Sequence, residues 1–219
     1  MKKSMIILLI FVISTLSAVG LQEYLEKPNF KTFRQTADSL YKANSQIELA
    51  YLLNYELERQ IAELDKVYSQ MDLQSKFSLA NLKLEMGKYE SAIAIYEELN
   101  QNYPKWSCPW RHKGEALFKT NKLAEAEKAL QKSIETRKQH YDAYVMLAEV
   151  QKEQKKYKQA LQTLQEGMKY KGKDIEEGER DELEVDFLML ELLKLNQEPA
   201  TELEQRLKKQ APNHPYWQK

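Results

Sequence analysis

Residues Leu73 to Asp174 match themselves when the chain is shifted by 34 positions. Ala92, Ala126 and Ala160 share a column; Tyr89, Leu123 and Tyr157 stand three residues before them, and Tyr96, Leu130 and Leu164 four after. Ala80, Gly114 and Ala148 make a second small-residue column, twelve before the alanines. This period constrains the fold more than any single residue does. Each copy has to be one supersecondary unit that buries its apolar face only against its neighbours.

Each copy reads as two helices. In the first, Leu79, Ala80 and Leu84 precede a break at Met86-Gly87-Lys88, and Tyr89, Ala92, Ile93, Tyr96 and Leu99 follow at helical spacing. In the second, Trp110, Gly114 and Leu117 give one face, Thr120-Asn121-Lys122 the turn, and Leu123, Ala126, Leu130 and Ile134 the next face. In the third, Tyr144, Leu147 and Ala148 are followed by Gln154-Lys155-Lys156, then by Tyr157, Ala160, Leu161, Leu164 and Met168. Apolar residues three and four apart among Lys, Glu and Gln are the mark of amphipathic helices. The small columns let two helices cross closely, leaving room for a partner's Trp, Tyr or Leu.

The spacings Trp110–Gly114–Leu117–Ala126–Leu130, Gly87–Tyr89–Ala92–Tyr96–Pro104 and Tyr144–Leu147–Ala148–Tyr157–Ala160–Leu164 resemble the tetratricopeptide repeat (TPR) family. Lys76, Lys83, Lys113 and Gln151 depart from its pattern, and Gly167 is unusual inside a second helix. The resemblance implies an all-α fold, a right-handed superhelix of about five antiparallel helix pairs, with a concave groove that binds proteins or extended peptides.

Before the clear copies, Phe33, Ala37 and Leu40 repeat the large–small–large spacing. Past Ala43-Asn44-Ser45, a second helix carries Ile47, Ala50, Tyr51 and Leu57 and runs on through Ile61 and Leu64 toward Val67. After the clear copies, a basic stretch from Lys169 to Lys173 meets an acidic one from Asp174 to Asp186, read as a solvated helix start with carboxylates at the positive end of the dipole. Leu183, Phe187, Leu190 and Leu193 make a helix, Asn196-Gln197-Glu198-Pro199 a break, and Leu203 and Leu207 a last helix. Ala200, Leu207 and Pro212 keep the second-helix spacing, and Tyr216 and Trp217 are expected to cover the end of the stack. The expected organisation is a leader at 1–20 and one domain over 21–219. That domain comprises a degenerate repeat (30–72), three clear repeats (73–106, 107–140, 141–174) and a divergent repeat with cap (175–219).

The leader has the layout of a secretory signal peptide. A basic Met1-Lys2-Lys3 head precedes an apolar run from Met5 to Ile13 and a small-residue stretch ending Ala18-Val19-Gly20. An uncleaved anchor is the alternative, although the apolar run is shorter than the roughly 20 residues of a membrane span. The expected location is therefore periplasmic or secreted, with no stable membrane span after cleavage. Lys2 and Lys3 lie in the leader, so 31 basic side chains then face 33 acidic ones. That balance of −2 argues against a nucleic-acid partner.

Catalytic signatures are missing. His112, His140 and His214 have no metal-like partner at helical spacing, the six glycines form no phosphate loop, and no G-x-S-x-G occurs. No cofactor, metal or enzyme activity is expected. The one exception weighed is Cys108 in Trp106-Ser107-Cys108-Pro109-Trp110, where Ser107 or Cys108 is expected to cap a helix and the helix start would lower a thiol pKa. This leaves a thiol enzyme or regulatory subunit as the second reading, and self-association through the end of the stack as a third.

By the resemblance, the groove is lined by the first helix of each pair. There the peptide-binding candidates are Phe77 and Asn81, then Arg111, Glu115, Phe118 and Lys119, then Val145, Glu149 and Lys152. Packing between repeats is the competing reading for Phe77 and Phe118. TPR domains that hold the carboxyl terminus of cytosolic chaperones use a clamp of Lys, Asn, Asn, Lys and Arg. Asn81 alone matches; the other places hold Phe77, His112, Asp142 and Met146. Chaperone-tail binding is therefore not expected.

Overall fold

The computed structural model describes residues 30–173 and 181–218, and these are all helix, turn and loop. The leader lies outside the described residues, as does most of the acidic stretch at 174–180. The chain divides into two compact units at Ser69/Gln70.

Unit one holds α1 (Phe30–Lys42) and α2 (Gln46–Lys66). Leu40 and Leu52 form its centre, with Phe33, Ala37, Leu49, Tyr51 and Tyr55 packed around them. The second helix does run on to Lys66, as the sequence suggests. Its buried face differs from the expected one: Ile47 is 78% exposed and Ala50 is exposed, while Leu49, Leu52 and Glu56 turn inward. The buried Glu56 carboxylate is satisfied on its own helix by Arg59 (2.7 and 2.8 Å) and Gln60 (2.9 Å).

Unit two is a run of four helix pairs: α3 (Leu73–Glu85) with α4 (Tyr89–Asn102), α5 (Ser107–Lys119) with α6 (Leu123–Thr136), α7 (Tyr141–Glu153) with α8 (Tyr157–Met168), and α9 (Glu182–Leu195) with α10 (Thr201–Gln210). Each helix packs on the next in sequence, and each first helix also touches the following first helix. The chain therefore presents one row built from α3, α5, α7 and α9.

The turns explain why the period holds. Asn44, Gly87, Asn121, Lys155 and Gln197 all have φ between 54° and 71°, the left-handed region that ends a helix. At each, the next residue's N–H donates to the carbonyl five back: Ser45 to Leu40, Lys88 to Lys83, Lys122 to Leu117, Lys156 to Gln151 and Glu198 to Leu193. The left-handed residue itself donates three back, which completes the Schellman motif. In the last pair two further residues, Glu198 and Pro199, delay α10. Ala200 therefore becomes its N-cap and packs on the last core from there, together with Leu203 and Leu207 of the helix itself.

The small columns sit where predicted. Ala80, Ala92, Ala126, Ala148 and Ala160 are fully buried, as are Tyr96, Leu130 and Leu164. A Cβ on Gly114 would stand 2.6 Å from Leu130 Cγ, so α5 and α6 cross too closely for a side chain there. Gly167 has the same explanation, since a Cβ would meet Tyr144 Cβ at 2.5 Å. The polar departures are also accommodated. Lys76 pairs with Glu98 (2.7 Å), Lys113 with Glu97 (2.9 Å), and Gln151 Oε1 accepts from the Thr163 hydroxyl (2.8 Å).

Candidate binding groove

Aligning the four turns places the first helices in common register, with steps of 34, 34 and 42 residues. Three columns follow: Phe77, Arg111, Val145 and Phe187; one turn later Asn81, Glu115, Glu149 and Glu191; then Leu84, Phe118, Lys152 and Lys194. They contain every expected groove residue except Lys119, which is exposed at the end of α5.

The α3–α5 end of the row is closed by rings. Phe77 is buried against Trp106 (centroids 4.7 Å), His112 (5.3 Å) and Tyr96 (6.2 Å), and Tyr96 stacks on His112 (5.9 Å). Packing between repeats therefore describes Phe77, and its ring is not a groove surface. Asn81 Oδ1 accepts the Tyr96 hydroxyl at 2.7 Å. Burial, reinforced by the Glu115 charge, holds the Tyr96 phenol well above its ordinary pKa, so it stays a donor. Burial and then the Arg111 cation push His112 down to about 2, so it is neutral.

The centre of the row is charged. Arg111 Nη1 lies 3.2 Å from Glu115 Oε2 and 3.7 Å from the Met146 sulfur on α7. Phe118 and Glu149 are half-buried. Val145 is buried at 1% exposure in the core between α7 and α9, with Ala148 and Leu188. A β-branched apolar residue at this register fills the helix contact and does not face the groove.

At the α7–α9 end a cavity of about 510 Å³ opens, lined among others by Glu149, Lys152, Glu191, Phe187 and Tyr216. Lys152 Nζ bonds Glu191 Oε2 at 2.8 Å. The segment after α10 forms one wall: the His214 ring stacks on Phe187 (3.8 Å, 11°) and its Nε2 lies 2.9 Å from Glu184. The same segment carries Tyr216 and Trp217 against Phe187, which covers the last pair as the terminal aromatics suggest. Both first-column rings thus meet a later ring, Phe77 the tilted Trp106 (50°) and Phe187 the stacked His214. The 42-residue step hides the register of Phe187 and Glu191, which aligning the turns reveals, whereas Glu184 lies off those columns and His214 in a segment with no repeat register.

The remaining polar residues are structural. Ser133 Oγ donates to the Ser107 carbonyl (3.0 Å) and sits 2.9 Å from His140 Nδ1, which fixes that nitrogen as the donor. Burial and nearby Arg137 push His140 down to about 3. Trp106, not Ser107 or Cys108, is the N-cap of α5, and Cys108 is half-buried in its first turn. Among the described residues no group of His, Cys, Asp or Glu could hold a metal ion, and no helix is long and apolar enough to cross a membrane.

Tetratricopeptide repeat models match residues 74–105, which hold α3 and α4, and 117–178, which take in the end of α5 and all of α6, α7 and α8. The chain belongs to the tetratricopeptide repeat family. The described residues are all-α and form antiparallel helix pairs, one in unit one and four in unit two, and they match TPR superhelical proteins. A crystal structure of MamA aligns with 74% of the chain and 90% of its own at 15% identity, TM-score 0.59. The Pseudomonas aeruginosa pilF structure aligns with 90% and 91% at 18% identity, TM-score 0.58. At these identities the likeness is one of fold. Mouse Protein O-mannosyl-transferase TMTC2 is 32% identical over 72 residues, 32% of this chain. The match spans only 9% of that relative's length. The TPR fold is that of a protein-interaction scaffold.

Proposed function

We propose that the TPR array holds an extended segment of a partner protein along the row of first helices, without catalysing a reaction. The observation that carries this reading is the pattern of the row. Arg111, Glu115, Phe118, Glu149 and Lys152 stand on successive helices, half-buried, as fixed alternating charges around apolar surface. Such a pattern gives specificity and register to an extended chain. The fold gives the partner class by analogy, and these residues give the place. A carboxyl-terminal chaperone tail fits poorly. Asn81 is taken by Tyr96, and Phe77 and His112 are closed into the aromatic nest. With the leader read as a signal, the partner is an envelope or extracellular protein. Fractionation of the tagged full chain would return it with membranes if the leader is instead kept as an anchor.

The test is affinity capture from envelope and culture-supernatant fractions, comparing wild type with the Arg111→Ala, Phe118→Ala double variant. A specific partner is expected to be lost at least tenfold in yield while circular dichroism stays unchanged. Undiminished capture by a folded double variant would remove the groove from the reading.

A further inference from the structure

The first helices end in a further column. Glu85, Lys119, Glu153 and Leu195 are the last residues of α3, α5, α7 and α9, each two before the left-handed residue of its turn. They stand four residues beyond Asn81, Glu115, Glu149 and Glu191, and so on the same helix face. All four are exposed, Leu195 at 42%. Elsewhere in the row the charges are consumed within the chain: Arg111 by Glu115 (3.2 Å), Lys152 by Glu191 (2.8 Å) and Lys194 by Glu204 (3.0 Å). Glu85, Lys119 and Glu153 form no ion pair among the described residues. Two of them also break a local rule. A helix ends in its negative pole, which suits the ammonium of Lys119 and opposes the carboxylates of Glu85 and Glu153. Residues that work against their own helix with nothing in the chain to offset them mark a place kept for function.

We propose that the segment held in the groove carries basic, acidic and basic side chains at three-residue intervals, which meet Glu85, Lys119 and Glu153 in turn; the proposal rests on the groove reading above. The interval follows from the fold. Successive first helices touch. Packed helices lie about 8–10 Å apart, and three residues of an extended chain, at about 3.3 Å each, span the same distance. A cation beside Glu85 or Glu153 answers both the carboxylate and the helix end. A slip by one helix would set like charges face to face, so the alternation fixes the register. The three charges read the same in either direction along the segment. Leu195 breaks that symmetry, since an apolar residue belongs beyond the end that meets Glu153.

The experiment displays a library of random decapeptides to the immobilised full chain. The peptides sequenced are those retained by wild type and lost by the Arg111→Ala, Phe118→Ala double variant. They are expected to be enriched in Lys or Arg at i and i+6 and in Asp or Glu at i+3. Lys119→Glu is expected to turn the middle preference from acidic to basic. It should weaken the best wild-type peptide about tenfold, with about threefold from the exposed attraction lost and as much from the repulsion gained. Glu153→Lys, on another helix, should turn one outer preference from basic to acidic, and decides the matter if Lys119→Glu does not fold. Groove-dependent peptides without the charge pattern, or preferences unchanged in the folded variants, would overturn the proposal and leave the groove standing. A library with no groove-dependent peptide would overturn it as well, and the groove would then rest on the capture assay alone.

Discussion

The two ends of the groove are built on the same register and put to opposite use. At the α3–α5 end, Phe77, Trp106, His112 and Tyr96 fill the space with rings, and Tyr96 spends its hydroxyl on Asn81. At the α7–α9 end, Phe187 has its own stacked ring in His214, yet carboxylates and Lys152 surround an open cavity. The backbone register does not determine whether a position in a repeat array is core or surface. The neighbouring columns decide it: an aromatic at the Phe77 place closes when a tryptophan precedes the next helix and a histidine follows on it. It leaves room when the next wall is a short segment instead of a full helix.

The largest effect should come from emptying the closed end. Phe77→Ala removes a ring packed against three others and is expected to cost about 3–5 kcal/mol, read as a lower urea midpoint. Phe187→Ala at the open end should show first as faster hydrogen exchange in α10 and the following segment, because terminal repeats open locally. Equal global losses with no local opening at Phe187 would collapse the contrast. Gly167→Ala sharpens it from below, since it forces a Cβ onto Tyr144 where α7 carries the open end. The expected cost is about 1–3 kcal/mol, and Tyr144→Leu in the same chain should recover part of it.

The smallest effect is one of slope. His112 is neutral in the folded chain down to about pH 2, whereas an unfolded histidine takes a proton near 6.5. Between those values the unfolded state binds more protons, so stability rises with pH and falls on acidification below about 6.5. The slope is at most about 1.4 kcal/mol per pH unit for this side chain. His112→Gln should flatten the pH dependence of the urea midpoint between pH 4 and 6.5 relative to wild type. An unchanged slope would mean that His112 is not sealed by the aromatic nest.

Much of the architecture was legible in the residues. The 34-residue columns located every helix pair of the clear repeats, because close crossings tolerate only Gly or Ala and those are visible as letters. Unit one was harder. The spacing of Ile47 and Ala50 suits a helix but does not tell which face turns inward, and Leu49, Leu52 and Glu56 took that face. Of the residues expected to bind, Arg111, Glu115, Phe118, Glu149 and Lys152 are half-buried in the row of first helices, and Lys119 is exposed at its edge. Val145 was misplaced, since a small apolar residue reads the same on a groove wall as in a helix contact. The cavity's far wall was invisible, because Glu184, Glu191 and His214 reach it only through a longer step and a segment with no repeat signature.

The left-handed joints carry a consequence for how such a chain changes over generations. Each of the five turns satisfies its own helix end with bonds inside six consecutive residues. A joint of that kind asks nothing of the rest of the molecule. Whole repeats can be copied, lost or spaced apart without the remaining joints having to be solved again. The step from Lys155 to Gln197 is eight residues longer than the two before it, and the joint at each end of it keeps the same bonds. Variation is thereby channelled into the stretches between pairs and the columns that face the groove, where a new preference for a partner can be written while the framework is inherited unchanged.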